Sequence, residues 1–222
     1  MRSNESLRIA FRETAQPITE PVTKFGGSPV WIDRPQWPLS RLLGCPMQFI
    51  AQIAIDRRIF PNSVARMAYI FMTDDAVDTF DPDAGENAVI LQPAATSIAH
   101  APLYTGPTLE PIDMEKGNVI QRPAEFAAEL SPVTEPLFVP GEQRDGWSEE
   151  DREKHYQTLA GHKIGGSPYF IQYDEFPFED WRLLLQLDAG SAPFWVNFGD
   201  GGCGYVFTNA DVTQAKFLWQ CH

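Results

Sequence analysis

A nine-residue pattern occurs twice in this chain of 222 residues. Residues 24–32 read KFGGSPVWI and residues 163–171 read KIGGSPYFI, so the second copy begins 139 positions after the first. Two further blocks recur in the same order: Gln52 in IAQI aligns with Gln186 in LLQL, and a later AYIF aligns with GYVF. Three ordered recurrences at nearly constant offset predict an internal duplication, with two similar halves related by a pseudo-two-fold axis.

The repeats divide the chain without separating it into independent domains. The first copy runs over about residues 20–100 and the second over about residues 160–222, within one structural unit that spans residues 1–222. The connecting residues, about 101–159, have no counterpart and contain seven prolines. Because proline disrupts regular backbone pairing, this segment is predicted to be mostly loop that wraps the two halves.

Alternating apolar residues predict that each copy is built from strands. In residues 47–55, MQFIAQIAI, every second residue is apolar, which is the period of a β-strand. Strands are also predicted where aromatic and β-branched side chains are concentrated, at residues 66–72, 87–91 and 203–207.

Few helices are expected. Residues 148–161 begin with SEED, a serine cap followed by acidic residues, and short helices are predicted at residues 123–130 and 211–219. The predicted fold class is therefore α+β and β-rich, with mostly antiparallel sheets in two duplicated halves and a few short helices.

The charge balance restricts the partners of this protein. Thirty acidic residues against seventeen basic ones give a net charge of −13, and a surface of this sign repels nucleic acid. No apolar run approaches the ~20 residues that span a bilayer, and the first residues lack a secretory signal, so no membrane association is expected. The three cysteines are odd in number and widely spaced, which favours reduced thiols in the cytoplasm.

The two GGSP segments invite comparison with phosphate-binding loops. Such a loop requires Lys-Ser/Thr after its glycines and a helix behind it, whereas here proline and an apolar stretch follow. A structural turn is favoured, in which glycine supplies unusual backbone angles and proline fixes the start of an edge strand. The predicted turn residues are Gly26, Gly27, Pro29, Gly165, Gly166 and Pro168.

Gln52 and Gln186 occupy the same place in two predicted strands. A buried amide without partners would cost ~1–3 kcal/mol, so each amide either bonds the backbone of its own half or faces a shared polar cleft. The backbone role is favoured, because most side-chain hydrogen bonds go to backbone or water. If a ligand site exists, the sequence places it near these glutamines, with His162 and Asp200 as an acid–base pair.

Metal sites are not supported by residue spacing. Residues 74–86 carry six carboxylates but depart from a calcium-binding loop at its sixth and twelfth positions, so a solvated acidic loop is favoured. Cys203, Cys221 and His222 lack the paired spacing of a zinc site. No metal, no cofactor and no catalytic residue is predicted.

Taken together, the ordered blocks resemble a known family. The first run contains FGGSP, WP and GCPMQFIAQI, and the second contains HKIGGSP, LLQLD and GDGGCGY. These motifs are similar to those of the YwqG-like family, a bacterial domain of unknown function, over nearly the whole chain apart from the Pro-rich middle; DRRIFP at residues 56–61 is a departure. The resemblance implies a β-rich soluble fold and carries over no activity.

Two functions remain open on the sequence. The first is a non-enzymatic module that binds a basic protein, as an inhibitor or immunity-type factor, because the chain is acidic, assembles no catalytic motif and offers six tryptophans as anchors. The alternative is an enzyme of unknown class or a small-ligand sensor with its site between the two halves, since such junctions often form ligand clefts.

Overall fold

The computed structural model describes residues 4–74, 78–93 and 105–222. Thirteen strands form within them: β1 (Asn4–Glu13), β2 (Lys24–Gly26), β3 (Gln48–Ala54), β4 (Met67–Met72), β5 (Asn87–Gln92), β6 (Glu110–Asp113), β7 (Asn118–Val119), β8 (Glu125–Glu135), β9 (Lys163–Gly165), β10 (Arg182–Asp188), β11 (Phe194–Trp195), β12 (Cys203–Thr208) and β13 (Ala215–Gln220). The helices are α1 (Gly141–Arg144) and α2 (Glu149–Leu159), and neither is long and apolar enough to cross a membrane. Asp75 and the predicted boundary near residues 100–101 lie outside the described residues.

Ten strands form one antiparallel sheet in the order β13-β12-β10-β9-β1-β8-β2-β3-β4-β5. The long strands β1 and β8 pair at its centre, from Asn4 opposite Glu135 to Glu13 opposite Phe126. Four strands follow on each side of this pair. A separate sheet in the order β11-β6-β7 adds three short strands. The predicted β-rich, mostly antiparallel character is confirmed.

The large sheet curls until its two edge strands meet. β5 and β13 contact each other. Nearby, Trp219 Nε1 donates to Thr79 Oγ1 at 3.1 Å, and Lys216 forms an ion pair with Asp83 at 2.6 Å. The sheet is therefore a nearly closed cylinder whose seam is bridged by side chains.

The core lies on both faces of this sheet. Its interior is filled with apolar side chains from all around the cylinder, including Phe25, Phe126 and Phe194, whose rings contact one another. Two aromatic clusters cover the outer face, one around Tyr69 and one around Tyr205. Because both faces of β3, β4, β10 and β12 are buried, their sequences are nearly continuous apolar runs.

The Pro-rich connecting segment supplies the centre of the sheet, which the sequence analysis did not predict. Residues 123–130 were predicted as a helix within a loop region, but most of them belong to β8, one of the two central strands. Pro132 is tolerated because β2 reaches only Glu125–Ala127 of β8, so the edge of the strand near Pro132 has no neighbour on that side. The density of prolines had suggested a loop. The strand was missed because β8 is defined by its pairing with β1, which is remote in sequence.

A second predicted helix, at residues 211–219, is also wrong. Val212 has a positive φ of 53°, and residues 215–220 form β13 against β12. Ala215, Phe217 and Trp219 follow the period of a strand, and pairing with β12 satisfies their backbone. The helix predicted from residue 148 is confirmed as α2, with Ser148 Oγ capping the amide of Asp151 at 3.1 Å.

Both ends of β8 carry a carboxylate that neutralises a buried lysine. Glu125 pairs with Lys24 of β2, and Glu135 pairs with Lys163 of β9 at 2.8 Å. The second pair is completely inaccessible to solvent. Burial lowers the pKa of Lys163 to about 8, and Glu135 opposes this shift, so the ammonium stays charged at neutral pH. Each end of the central strand thus depends on an ion pair within the fold.

We expect Glu135→Gln to lower the free energy of unfolding by about 3–5 kcal/mol, because it leaves the Lys163 ammonium buried without a counter-charge. Lys163→Met should cost less, since Glu135 keeps Arg8 at 3.2 Å and the Ser6 hydroxyl at 2.9 Å. Urea denaturation of the two variants measures both values. Equal losses would contradict the assignment of Glu135 as the shared counter-charge.

Candidate functional site

Each copy of the repeated pattern ends in a loop that forms no strand. We call residues 28–34 the first repeat loop and residues 167–173 the second repeat loop. The sequence analysis predicted that proline starts an edge strand here, and this is wrong. The Lys-x-Gly that precedes the turn forms the strand instead, as β2 and β9, and both lie inside the sheet. The loops themselves are held by buried side chains, so they need no neighbouring strand.

Glycine is required at the turn for two reasons. Gly26 and Gly27 both have φ of 67°, and Gly165 and Gly166 have φ of 74° and 77°, in the left-handed region that favours glycine. A Cβ on Gly27 would also collide with the carboxylate of Glu125, and one on Gly166 would collide with that of Glu135. The second glycine of each pair therefore makes room for the ion pair of β8.

The two predicted glutamines hold the loops by their backbone. Gln52 Oε1 accepts from the amide of Val30 at 2.7 Å, and its Nε2 donates to the carbonyl of Val22 at 2.8 Å. Gln186 Oε1 accepts from the amide of Tyr169 at 2.8 Å, and its Nε2 donates to two carbonyls at 2.9 Å each. The prediction that each amide bonds the backbone of its own half is confirmed.

Two tyrosines make the same contact in both loops. Tyr69 Oη donates to the carbonyl of Val30 at 2.7 Å, and Tyr205 Oη donates to that of Tyr169 at 2.7 Å. In each loop, one residue therefore donates its backbone amide to a glutamine and accepts at its carbonyl from a tyrosine. Burial raises the pKa of both phenols far above the usual value, so they remain donors.

A second pair of glutamines, which the sequence analysis did not single out, completes the arrangement. Gln92 Oε1 accepts from the amide of Asp33 at 3.0 Å, and Gln220 Oε1 accepts from that of Gln172 at 3.2 Å. Each Nε2 then donates to the carbonyl of the next residue. The loop before β5 is longer than the loop before β13, so the two glutamines do not align at the offset of the other blocks.

Gln52 and Gln186 do not face a common cleft. Their amides are buried against separate loops, and the space between the halves is filled by apolar side chains such as Phe25, Ile164 and Phe194. Gln186 does line a small pocket of about 140 Å³ with Asp188 and Cys203, within the second half. A ligand role for the glutamines therefore remains a proposal restricted to Gln186.

His162 and Asp200 are not joined by a hydrogen bond or ion pair in the described structure. His162 Nδ1 accepts from the amide of Asp188 at 3.2 Å, and its Nε2 lies 3.1 Å from the hydroxyl of Ser191. The carbonyl of Asp200 accepts from the amide of His222 at 3.1 Å. His162 is thus part of a hydrogen-bonded chain. Its Nε2 contacts the hydroxyl of Ser191, which in turn donates to the carboxylate of Asp188 at 2.7 Å.

This hydrogen-bonded chain differs from a hydrolytic triad in which groups donate and which accept. Because Nδ1 of His162 accepts a backbone hydrogen bond, the neutral ring carries its proton on Nε2 and donates to Ser191. A serine nucleophile needs the opposite arrangement, in which histidine accepts the hydroxyl proton and the carboxylate holds Nδ1. Burial lowers the pKa of His162, so the ring stays neutral at neutral pH.

The acidic segment 74–86 holds carboxylates of different kinds. Glu86 is buried and accepts from Ser40 Oγ, Thr73 Oγ1 and the amide of Leu42, so its role is to hold the loop at residues 40–42. The prediction of a solvated loop fails for this residue, because these neutral donors replace water. No group of three potential ligands is placed to hold a metal among the described residues.

A polar groove of about 450 Å³ lies between the two helices and the second repeat loop. Its aromatic side chains are Trp147, His155, Tyr169 and Tyr173. The rings of Trp147 and His155 meet edge to face at 5.1 Å, and His155 lies 6.1 Å from Tyr169. The rings of Trp147, His155 and Tyr169 are therefore neighbours along the groove.

One ion pair joins α1 to the second repeat loop and its continuation. Arg144 Nη2 lies 2.7 Å from Asp174 Oδ1, and Asp174 Oδ2 accepts from the amide of Gly141 at 2.6 Å. The carboxylates of Glu142 and Asp145 are exposed at the same groove. Residues 14–23, which precede β2 as these helices precede β9, form no helix, so the groove belongs to the second half.

Comparison with known families assigns the chain to a family. Residues 23–221 match the family described as Domain of unknown function (DUF1963), and the chain belongs to this family. No curated protein matches the chain. Membership confirms the prediction of a domain of unknown function and assigns no activity.

We expect Gln52→Ala and Gln186→Ala each to lower the free energy of unfolding by about 2–4 kcal/mol, because each leaves buried backbone groups without partners. Exposed Gln143→Ala is the matched control and should change stability by less than about 0.5 kcal/mol. Chemical denaturation provides the measurement. If Gln186→Ala left the free energy of unfolding nearly unchanged, the backbone role of Gln186 would be contradicted and a ligand-binding role would be favoured.

The lowered pKa of His162 predicts a loss of stability on acidification. Below about pH 6.5 the unfolded chain takes up a proton at this residue while the folded chain does not, so the free energy of unfolding falls as pH falls. The loss ends once pH passes below the folded pKa. His162→Asn should flatten the slope, measured by urea denaturation from neutral to mildly acidic pH. An unchanged slope would show that other groups, such as His155, dominate.

Proposed function

We propose that this protein is a non-enzymatic binding module that takes a basic segment of another protein into the groove between α1, α2 and the second repeat loop. The observation that carries the proposal is the coincidence of aromatic side chains with three carboxylates at one groove, where Arg144 and Arg152 are the two basic side chains of the lining. An inhibitor or immunity-type factor for a basic protein is the form of this function that we favour.

The groove suits cationic side chains. Trp147, Tyr169 and Tyr173 line it with aromatic rings, and the faces of such rings attract ammonium and guanidinium groups. Trp147 and Tyr169 are only partly buried, so part of each side chain is accessible to a ligand. Aromatic anchors of this kind carry much of the affinity in protein interfaces.

The charge around the groove is strongly negative. Residues 141–159 and 167–181 contain ten carboxylates against three basic side chains, which is a net charge of −7 out of −13 for the whole chain. Arg144, one of the three, is neutralised by Asp174. A basic partner would therefore be drawn to this face and would associate fastest at low salt.

An enzymatic role receives less support from the geometry. In the Ser191–His162–Asp188 chain the histidine donates to the serine instead of accepting its proton, and the junction between the halves is packed with apolar side chains. We also infer a cytoplasmic setting, which the three free cysteines favour.

We infer further that the two halves arose by internal duplication, with copies at about residues 20–100 and 160–222 and a connecting segment at about 101–159. Equivalent lysine, glutamine and tyrosine contacts in the two repeat loops support this origin, as does the sequence of four strands on each side of the central pair. The YwqG-like motifs of the sequence are consistent with the same assignment.

We expect a short peptide of alternating arginine and serine to bind at low salt and to quench the fluorescence of Trp147. Glu142→Gln/Asp145→Asn should weaken this binding by about three- to tenfold, because two exposed charges are lost from the groove. Calorimetry measures the affinity of each variant.

The matched control is Asp78→Asn/Glu115→Gln, which removes the same total charge at exposed sites outside the groove. It should retain nearly all of the affinity. Equal weakening in both double variants would show that binding depends on net charge and not on the groove, which would contradict the proposal. Absence of binding to the basic peptide would also overturn it.

A further inference from the structure

The first repeat loop borders a pocket of about 320 Å³ that differs from the groove in both volume and charge. Its walls are apolar and include Ile32, Ala54, Ile55, Ala65 and Met67. Ligand pockets range over ~300–1,000 Å³, so this one admits a small molecule. It lies in the first half, away from α1 and α2.

Two arginines line the same pocket. Arg57 and Arg66 are exposed, and no carboxylate of the described residues forms an ion pair with either. The neighbouring Arg58 differs, because it is paired with Asp56 at 2.5 Å. In a chain of net charge −13, an apolar pocket with two unpaired guanidinium groups is a local site for a negative charge.

The second half has a pocket at the corresponding place, and its chemistry is opposite. Ala54 pairs with Met67 across β3 and β4, as Asp188 pairs with Cys203 across β10 and β12. All four of these residues line the pocket of their own half. The second pocket is smaller, about 140 Å³, and presents the carboxylate of Asp188 where the first presents the methyl group of Ala54.

We propose that the first-half pocket binds a small free carboxylate with an aliphatic body, such as a medium-chain fatty acid. The body would occupy the apolar walls, and the carboxylate would bind Arg57 and Arg66, whose planar guanidinium groups match a carboxylate in two-point geometry. The second-half pocket rejects the same ligand, because Asp188 adds a like charge in a smaller space. Binding is therefore one to one and independent of the groove.

Calorimetry with sodium octanoate and with octan-1-ol, which lacks the charge, tests the proposal on the full chain. We expect a single octanoate site and at least tenfold weaker binding of the alcohol. Arg57→Gln/Arg66→Gln should weaken octanoate at least tenfold and leave the alcohol unchanged. The control Arg12→Gln/Arg122→Gln removes two exposed, paired arginines elsewhere and should bind octanoate normally.

A second test moves the charge of the second half into the first. Ala54→Asp should weaken octanoate at least tenfold, while Ala54→Asn, of the same size without charge, should retain most of the affinity. The proposal would be overturned by equal binding of octanoate and octanol or by no octanoate binding. It would also be overturned by two octanoate sites per chain or by equal effects of the two Ala54 variants. Unchanged octanoate binding by Glu142→Gln/Asp145→Asn would show that the pocket acts separately from the groove.

Discussion

The antiparallel pairing of β1 with β8 is the interaction on which the other parts of this structure depend. It joins the two sets of four strands into one sheet and places Glu125 and Glu135 beside the two buried lysines. Without β8, Lys24 and Lys163 would be buried charges without a counter-charge, and the inner strands β1 and β2 would become open edges. The two sets of four strands therefore form one continuous sheet only with the connecting segment in place.

The lysines in turn organise the repeat loops. Lys24 Nζ donates to the carbonyl of Ser28 at 2.6 Å, and Lys163 makes the same contact with Ser167. Glutamine and tyrosine side chains then take up the amides and carbonyls that follow, so each loop is shaped by buried polar groups. Such loops are rigid without being part of the sheet, which makes them suitable walls for binding sites.

The two repeat loops differ in the chain that surrounds them. In the second half α1 and α2 form the groove with its aromatic and acidic surface. In the first half the loop borders an open apolar pocket with Arg57 and Arg66. One scaffold thus supports a groove and a pocket of different charge. Buried side chains of the sheet hold the backbone of both loops, while the residues that face solvent differ.

Local sequence determined much of this protein. The alternation of apolar residues predicted β3, and the concentration of aromatic and β-branched residues predicted β4, β5 and β12. The Ser148 cap predicted α2, and the recurrence of Gln52 and Gln186 predicted that buried amides hold backbone. Only tertiary structure decided the place of β8 and β13, the joining of the halves through β1, and the positions of the groove and the pocket. Strand pairing between residues more than a hundred positions apart leaves no periodic signal, and Pro132 is acceptable only because one neighbour is absent at that point. Likewise, the charge of a site depends on which side chains the folded chain brings to one surface, and composition records only their sum.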